Sequence, residues 1–209
     1  MPPLVEQLRA VAPNVTVDVS AWNDRVYEGT AAGQIDLALS AEAPPPALDS
    51  DVLYEEDFVC LVARTDKIRT RRFSLKQYLN LPHVIVSTWE GQQTPVDRPL
   101  AELGLKRQAV LRVPYFVTTI FTVARTDLIL TVPRRLGKLA AATADVRAVE
   151  PPHEIKGFYL FHGLASAAHC GTCAHLVSRT AADDNADDLS PSSVLNRLAA
   201  GCCFWELGV

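Results

Sequence analysis

The chain has 209 residues, one methionine, 7% aromatic residues, and a formal charge of -4. No apolar run approaches the roughly 18 residues that a membrane-spanning helix needs. The opening MPPLVEQLRA lacks the basic and apolar regions of a secretory leader, so a cytoplasmic protein without a membrane partner is expected. With 20 basic against 24 acidic residues there is no broad positive field, which argues against nucleic-acid binding as the business of the whole surface. The five cysteines are odd in number, and four lie at or beyond Cys170, which excludes a secreted disulfide framework. The motifs G-x-S-x-G, G-x-x-x-x-G-K, G-x-G-x-x-G and H-E-x-x-H are all missing. No enzyme and no cofactor is expected.

What is present suits a globular chain of one or two domains: 48% apolar and 21% charged residues can bury a real core. Val52 to Asp66 (VLYEEDFVCLVARTD) organises the rest. Its apolar run, Phe58 to Ala63, reads as a strand buried on both faces that crosses between two sets of strands and helices. Before it, Leu4, Leu8 and Val11 give a helix over 3–12. Val15, Val17 and Val19 alternate as a half-buried strand. Asn23 starts a helix that Gly33 stops, and Ile35 to Leu39 is a strand ending at Ser40. After it, Ser74 and Gln77 fit a capping box, followed by a strand over Val84 to Ser87. Helices near Val96 to Leu103, Phe116 to Arg125 and Arg134 to Thr143 alternate with strands at Ala109 to Val113, Leu128 to Val132 and Val146 to Val149. Gly157 to Phe161 is a last strand.

Strands alternating with short helices predict parallel α/β sheets in two lobes. The expected division is lobe I with the crossover strand over 1–63, lobe II over 64–145, a return strand to lobe I over 146–162, and a tail over 163–209. Ligands of open α/β sheets sit beyond the carboxyl ends of the strands, which selects Ser40, Ser87, Thr88 and Val132. Helix starts offer free amides and hydroxyls to an anion, which adds Thr118 and Thr119. Phe116 supplies a ring for stacking on an aromatic ligand, with core packing as the alternative. Singly, each hydroxyl is commonly a cap; their interest lies in converging on one cleft. Glu55, Glu56 and Asp57 are adjacent, so alternate strand positions face opposite ways and make a poor paired-carboxylate site. His83 and His153 neighbour prolines and are expected in loops. The basic run KIRTRR, Lys67 to Arg72, is either an anion or DNA contact or a solvated loop.

Five stretches, PPLVEQLRAVAPNVTVDV, AGQIDLALS, LYEEDFVCLVARTD, SLKQYLNLPHVIVS and ARTDLILTVPRRLG, together resemble the effector-binding domain of LysR-type transcriptional regulators. The resemblance runs from Pro2 to about Leu160 and is nearest the branch of nodulation and aromatic-degradation regulators. It implies the two-lobed type II periplasmic-binding-protein fold, a small inducer in the inter-lobe cleft, and dimers or tetramers formed through the first helix and neighbouring strand. It also implies DNA contact only through a winged helix-turn-helix. Against the family pattern, that helix-turn-helix and the strand preceding the PPL helix are expected to be missing here. A solute-binding protein for transport shares the implied fold and is the alternative.

The resemblance fails after about His162, where an atypical tail follows. His169, Cys170, Cys173 and His175 supply four zinc-type donors, which opens a second alternative, a zinc-dependent enzyme or module. Structural zinc sites usually draw two separated pairs, whereas these four lie within one short segment, so no metal site is expected. Ala181 to Asp188 is acidic and expected to be disordered.

Overall fold

The computed structural model describes residues 2–87 and 93–165. Thr88 and the candidate donors His169, Cys170, Cys173 and His175 lie outside the described residues. The chain divides into two compact units, one holding Asp24–Tyr54 with the flanking first residues and Leu160 onward, the other holding Glu55–Tyr159.

The first unit begins with helix α1, Pro2–Val11, whose Leu8 is buried. Helix α2, Val26–Ala31, ends before Gly33, whose φ of 71° supplies the left-handed turn that only glycine adopts without strain. Strands β1, Ala38–Ser40, β2, Leu48–Glu56, and β8, Phe158–Ala165, form a sheet in the order β1-β8-β2, with β1 antiparallel to β8. The alternating valines do not form the expected strand. Residues 12–23 carry no helix or strand, and Val15, Val17 and Val19 are all exposed. Alternation makes a segment competent for a sheet, but a strand forms only where a neighbouring edge pairs with it, and this segment pairs with none of the described strands.

The second unit is a five-stranded sheet between helices. Its strands are β3, Phe58–Ala63, β4, Pro82–Val86, β5, Gln108–Val113, β6, Ile129–Pro133, and β7, Val146–Val149, in the order β5-β4-β6-β3-β7. Its helices are α3, Leu75–Asn80, α4, Asp97–Glu102, α5, Phe116–Val123, and α6, Arg134–Thr143. β3 is buried along its whole length, as its apolar run requires. Phe58, Cys60 and Val62 join one cluster with Tyr78 of α3 and Leu100 of α4. Val59 and Leu61 point the other way, into a cluster with Ile120 and Val123 of α5 and Ala140 of α6. A central strand covered on both faces cannot alternate, because neither face meets water.

Three expectations are corrected. The sheet is mixed: β4 runs parallel to β5 and β6, whereas β3 runs antiparallel to both β6 and β7. Strand periodicity carries no direction: β6 and β7, joined by α6, run parallel to each other, and β3, entering from β2 of the other sheet, lies between them in the opposite sense. The strands that pass from one unit to the other are β2 and β8, not Phe58–Ala63 and Val146–Val149, which pair with each other in the second unit. His83 is not in a loop: it lies in β4, fully buried, with its Nε2 2.7 Å from the Tyr78 carbonyl oxygen and its ring edge-on to Tyr78.

Candidate ligand-binding site

Because β4, β5 and β6 are parallel, their carboxyl ends gather on one rim of the second unit. Ser87 follows β4, and its N–H donates to the Val113 carbonyl at 3.0 Å. That bond ties the end of β4 to the end of β5, two residues before Tyr115, the extended residue that opens α5. Phe116, Thr118 and Thr119 follow in the first turn of α5, within six residues of the carbonyl that Ser87 binds. Phe116 and Thr118 are exposed. Thr119 is buried and its hydroxyl donates to the Tyr115 carbonyl, so it fastens the first turn of α5 and has little left for a ligand. The Thr118 carbonyl accepts the Thr122 hydroxyl at 3.0 Å, which leaves the Thr118 hydroxyl at the surface.

Val132 lies at the same end of β6, but its side chain is turned into the core with Val59 and Leu130. It shapes the floor of the rim and offers no side-chain contact. Ser40 belongs to the first unit, at the end of β1, where its Oγ accepts the Glu42 N–H at 2.9 Å. That is a local turn bond of the kind serine commonly makes. Ser87 is thus tied to the strand that leads into α5, where Phe116 and Thr118 are exposed, while Thr119 and Val132 are buried.

Beside this rim lies a charged cavity that sequence reasoning missed. The pairing of Phe58 with Pro133 sets the start of β3 against the end of β6, and the Arg134 N–H donates to the Asp57 carbonyl at 2.7 Å. Glu55, Glu56 and Asp57 then face Arg134, Arg135 and Lys138 of α6 around about 400 Å³. Arg134 grips both carboxylate oxygens of Glu150 at 2.8 Å and lies 3.6 Å from Asp57, and Arg135 is 3.3 Å from the buried Glu56. The bond from Arg134 holds the Glu150 carboxyl below the usual glutamate range, and Glu150 in turn raises Arg134. The readable signal was Arg134 and Lys138, four apart on one helix face directly after a strand. The acids do not act as a carboxylate pair, because each of the two nearest the helix has a guanidinium beside it.

The buried polar groups elsewhere are structural. Cys60 lies 3.7 Å from the Thr131 hydroxyl, and burial pushes its thiol up to about 12. Such a thiol is not a nucleophile at neutral pH. Burial also raises Tyr78, whose hydroxyl is 2.7 Å from Thr131, and lowers His83 to about 4. Arg107 is buried against Asp97 at 2.7 Å. Among the described residues no cluster of His, Cys, Asp or Glu is placed to hold a metal ion, and no helix is long and apolar enough to cross a membrane.

The LysR substrate binding domain family matches residues 1–162, from α1 to β8. The chain belongs to that family. The transcriptional activator NagR of Ralstonia sp is 33% identical over 140 residues, covering 65% of this chain and 46% of NagR. Nodulation protein D 2 of Rhizobium tropici is 29% identical over 142 residues, covering 68% of this chain and 45% of that protein. The chain thus spans about half the length of the curated relatives it matches. The crystal structure of the regulatory domain of MexT, a transcriptional activator in Pseudomonas aeruginosa, superposes with a TM-score of 0.71 at 27% identity, covering 87% of this chain and 90% of that domain. The expected fold, that of LysR regulatory domains, is the one observed. Relatives that are transcriptional regulators also disfavour the transport reading.

Proposed function

We propose that this chain is the effector-sensing and dimerisation part of a LysR-type transcriptional regulator, and that a small aromatic inducer rests on the rim of the second unit. The observation that supports the reading is the bond from the Ser87 N–H to the Val113 carbonyl, which ties the carboxyl ends of two parallel strands together just before α5, within a chain of this family. In this reading Phe116 stacks on the inducer ring, and the hydroxyls of Ser87 and Thr118 bond its polar groups. The inducer stabilises one of two arrangements and shifts their populations, so no chemistry is performed and no cofactor is required. Self-association runs through α1 and a neighbouring strand of the first unit. DNA is read by a helix-turn-helix carried elsewhere in the parent protein, which works in the cytoplasm.

The test is a thermal-shift and calorimetric screen of small aromatic carboxylates against the purified chain. A true inducer present at a hundredfold its Kd adds about 2.7 kcal/mol to stability. Thr118→Val should then weaken that inducer about tenfold, the loss of one hydrogen bond. Phe116→Ala should cost about 0.5–1.5 kcal/mol of binding. Full affinity in both variants would remove the rim as the binding surface.

A further inference from the structure

We propose that the loop 64–72 of the second unit is a contact surface for the phosphate backbone of duplex DNA. The inference rests on the reading of this chain as part of a DNA-bound regulator and adds a surface to it. The loop reads Arg-Thr-Asp-Lys-Ile-Arg-Thr-Arg-Arg: five bases and one acid, in a chain whose net charge is -4. All five bases are exposed. A local field of this sign is unusual for the chain and needs an account beyond composition.

The loop is held rigid by bonds that leave its charge standing. Asp66 Oδ1 accepts the Ile68 N–H at 2.8 Å, which closes a tight turn. Arg69 donates to the Asp66 and Ile68 carbonyls, and Arg147, a sixth base on β7, donates to the Ile68 carbonyl. Arg64 donates to the Ala141 carbonyl at 3.3 Å, and Arg72 to the Pro151 carbonyl at 2.8 Å. The Phe73 N–H donates to the Glu150 carbonyl at 3.0 Å, and the Glu150 N–H to the Arg71 carbonyl at 2.9 Å, so the loop end is laced to the residue after β7. A carbonyl orients a guanidinium without cancelling its charge. Among the described residues Arg72 alone of the five bases meets a carboxylate, Glu150 at 3.6 Å, and that carboxylate already receives two bonds of 2.8 Å from Arg134. Among the described residues the side chains of Lys67 and Arg71 make no hydrogen bond or ion pair. A fixed loop with uncancelled, outward bases loses little entropy on binding a regular array of phosphates.

The experiment uses the full chain and a short fluorescein-labelled duplex of arbitrary sequence, with anisotropy read between about 50 and 200 mM salt. Log affinity should fall with log salt by about 0.9 for each phosphate neutralised. Lys67→Gln and Arg71→Gln should each make that slope shallower by about one. Lys106→Gln, outside the loop, should leave it unchanged. No binding at the lowest salt, or an unchanged slope in both loop variants, would overturn the proposal. So would capture of polyglutamate with no capture of duplex, because the surface would then fit an acidic protein. Inducer binding is measured separately on the same variants. Its retention alongside failed DNA binding sinks only this inference, and its absence in the unaltered chain sinks the effector reading instead.

Discussion

Replacing Gly137 by alanine should destabilise the protein, although alanine inside a helix ordinarily adds about 1 kcal/mol over glycine. Gly137 lies in α6 where the helix crosses the central strand, and a Cβ built on it would fall 2.3 Å from Val59 Cγ2 and 3.5 Å from Val132 Cγ2. Val59 is 2% exposed and branched at Cβ, so it cannot swing aside without striking other core atoms. Overpacking of this kind costs about 1–3 kcal/mol. After the helical gain is subtracted, Gly137→Ala should lose on the order of 1 kcal/mol. Urea unfolding followed by far-ultraviolet circular dichroism reads the change as a lower midpoint. The partner variant Val59→Ala removes the obstructing methyl and alone costs about 1.6 kcal/mol for the two carbons lost. In its presence the Gly137→Ala change should become neutral or stabilising, a double-mutant coupling of about 1 kcal/mol or more. A higher midpoint for Gly137→Ala alone, or an equal loss in both backgrounds, would refute the close approach of α6 to β3.

Three further outcomes follow from the structure. His83 is held near 4, below its ordinary 6.5, so the unfolded chain binds its proton first as pH falls; stability should decline from about pH 6.5 to about pH 4, and His83→Phe should remove that part of the slope in urea titrations at stepped pH. Ser74 accepts the Gln77 N–H and completes a capping box at α3, so Ser74→Ala should cost about 1 kcal/mol in the same assay while Ser74→Asp keeps most of it. Arg134→Gln takes both bonds from Glu150, and the side chains are about one-third exposed, so the loss should be small, about 1 kcal/mol. Because Glu150 is depressed by that pairing, the variant should lose its deficit below the ordinary glutamate range, where acid protonates Glu150 in either chain; a deficit unchanged at low pH would contradict the assignment.

The second unit was largely legible in the residues. Phe58 to Ala63 is apolar at every position because water meets neither face of β3. Ser74, Gly33 and Gly104 mark element ends through bonds and φ values that local chemistry dictates, with Gly104 at 70°. The hydroxyls near strand ends follow from the same local reading: Ser87 comes directly after β4, and Phe116 and Thr118 are exposed in the first turn of α5. Tertiary structure alone decided the rest. Strand direction is invisible to a period of two, so the reversal of β3 between β6 and β7 had no local sign. Burial of Val132 depends on which face β6 turns to α6, and the loss of Thr119 depends on a bond to Tyr115. The acids of residues 55–57 look like an unpaired strip until α6 lays Arg134 and Arg135 across them. Periodicity and caps are properties of neighbours in the chain, and the sequence states them directly. Pairing, direction and charge compensation are properties of neighbours in space, and only the folded chain chooses them.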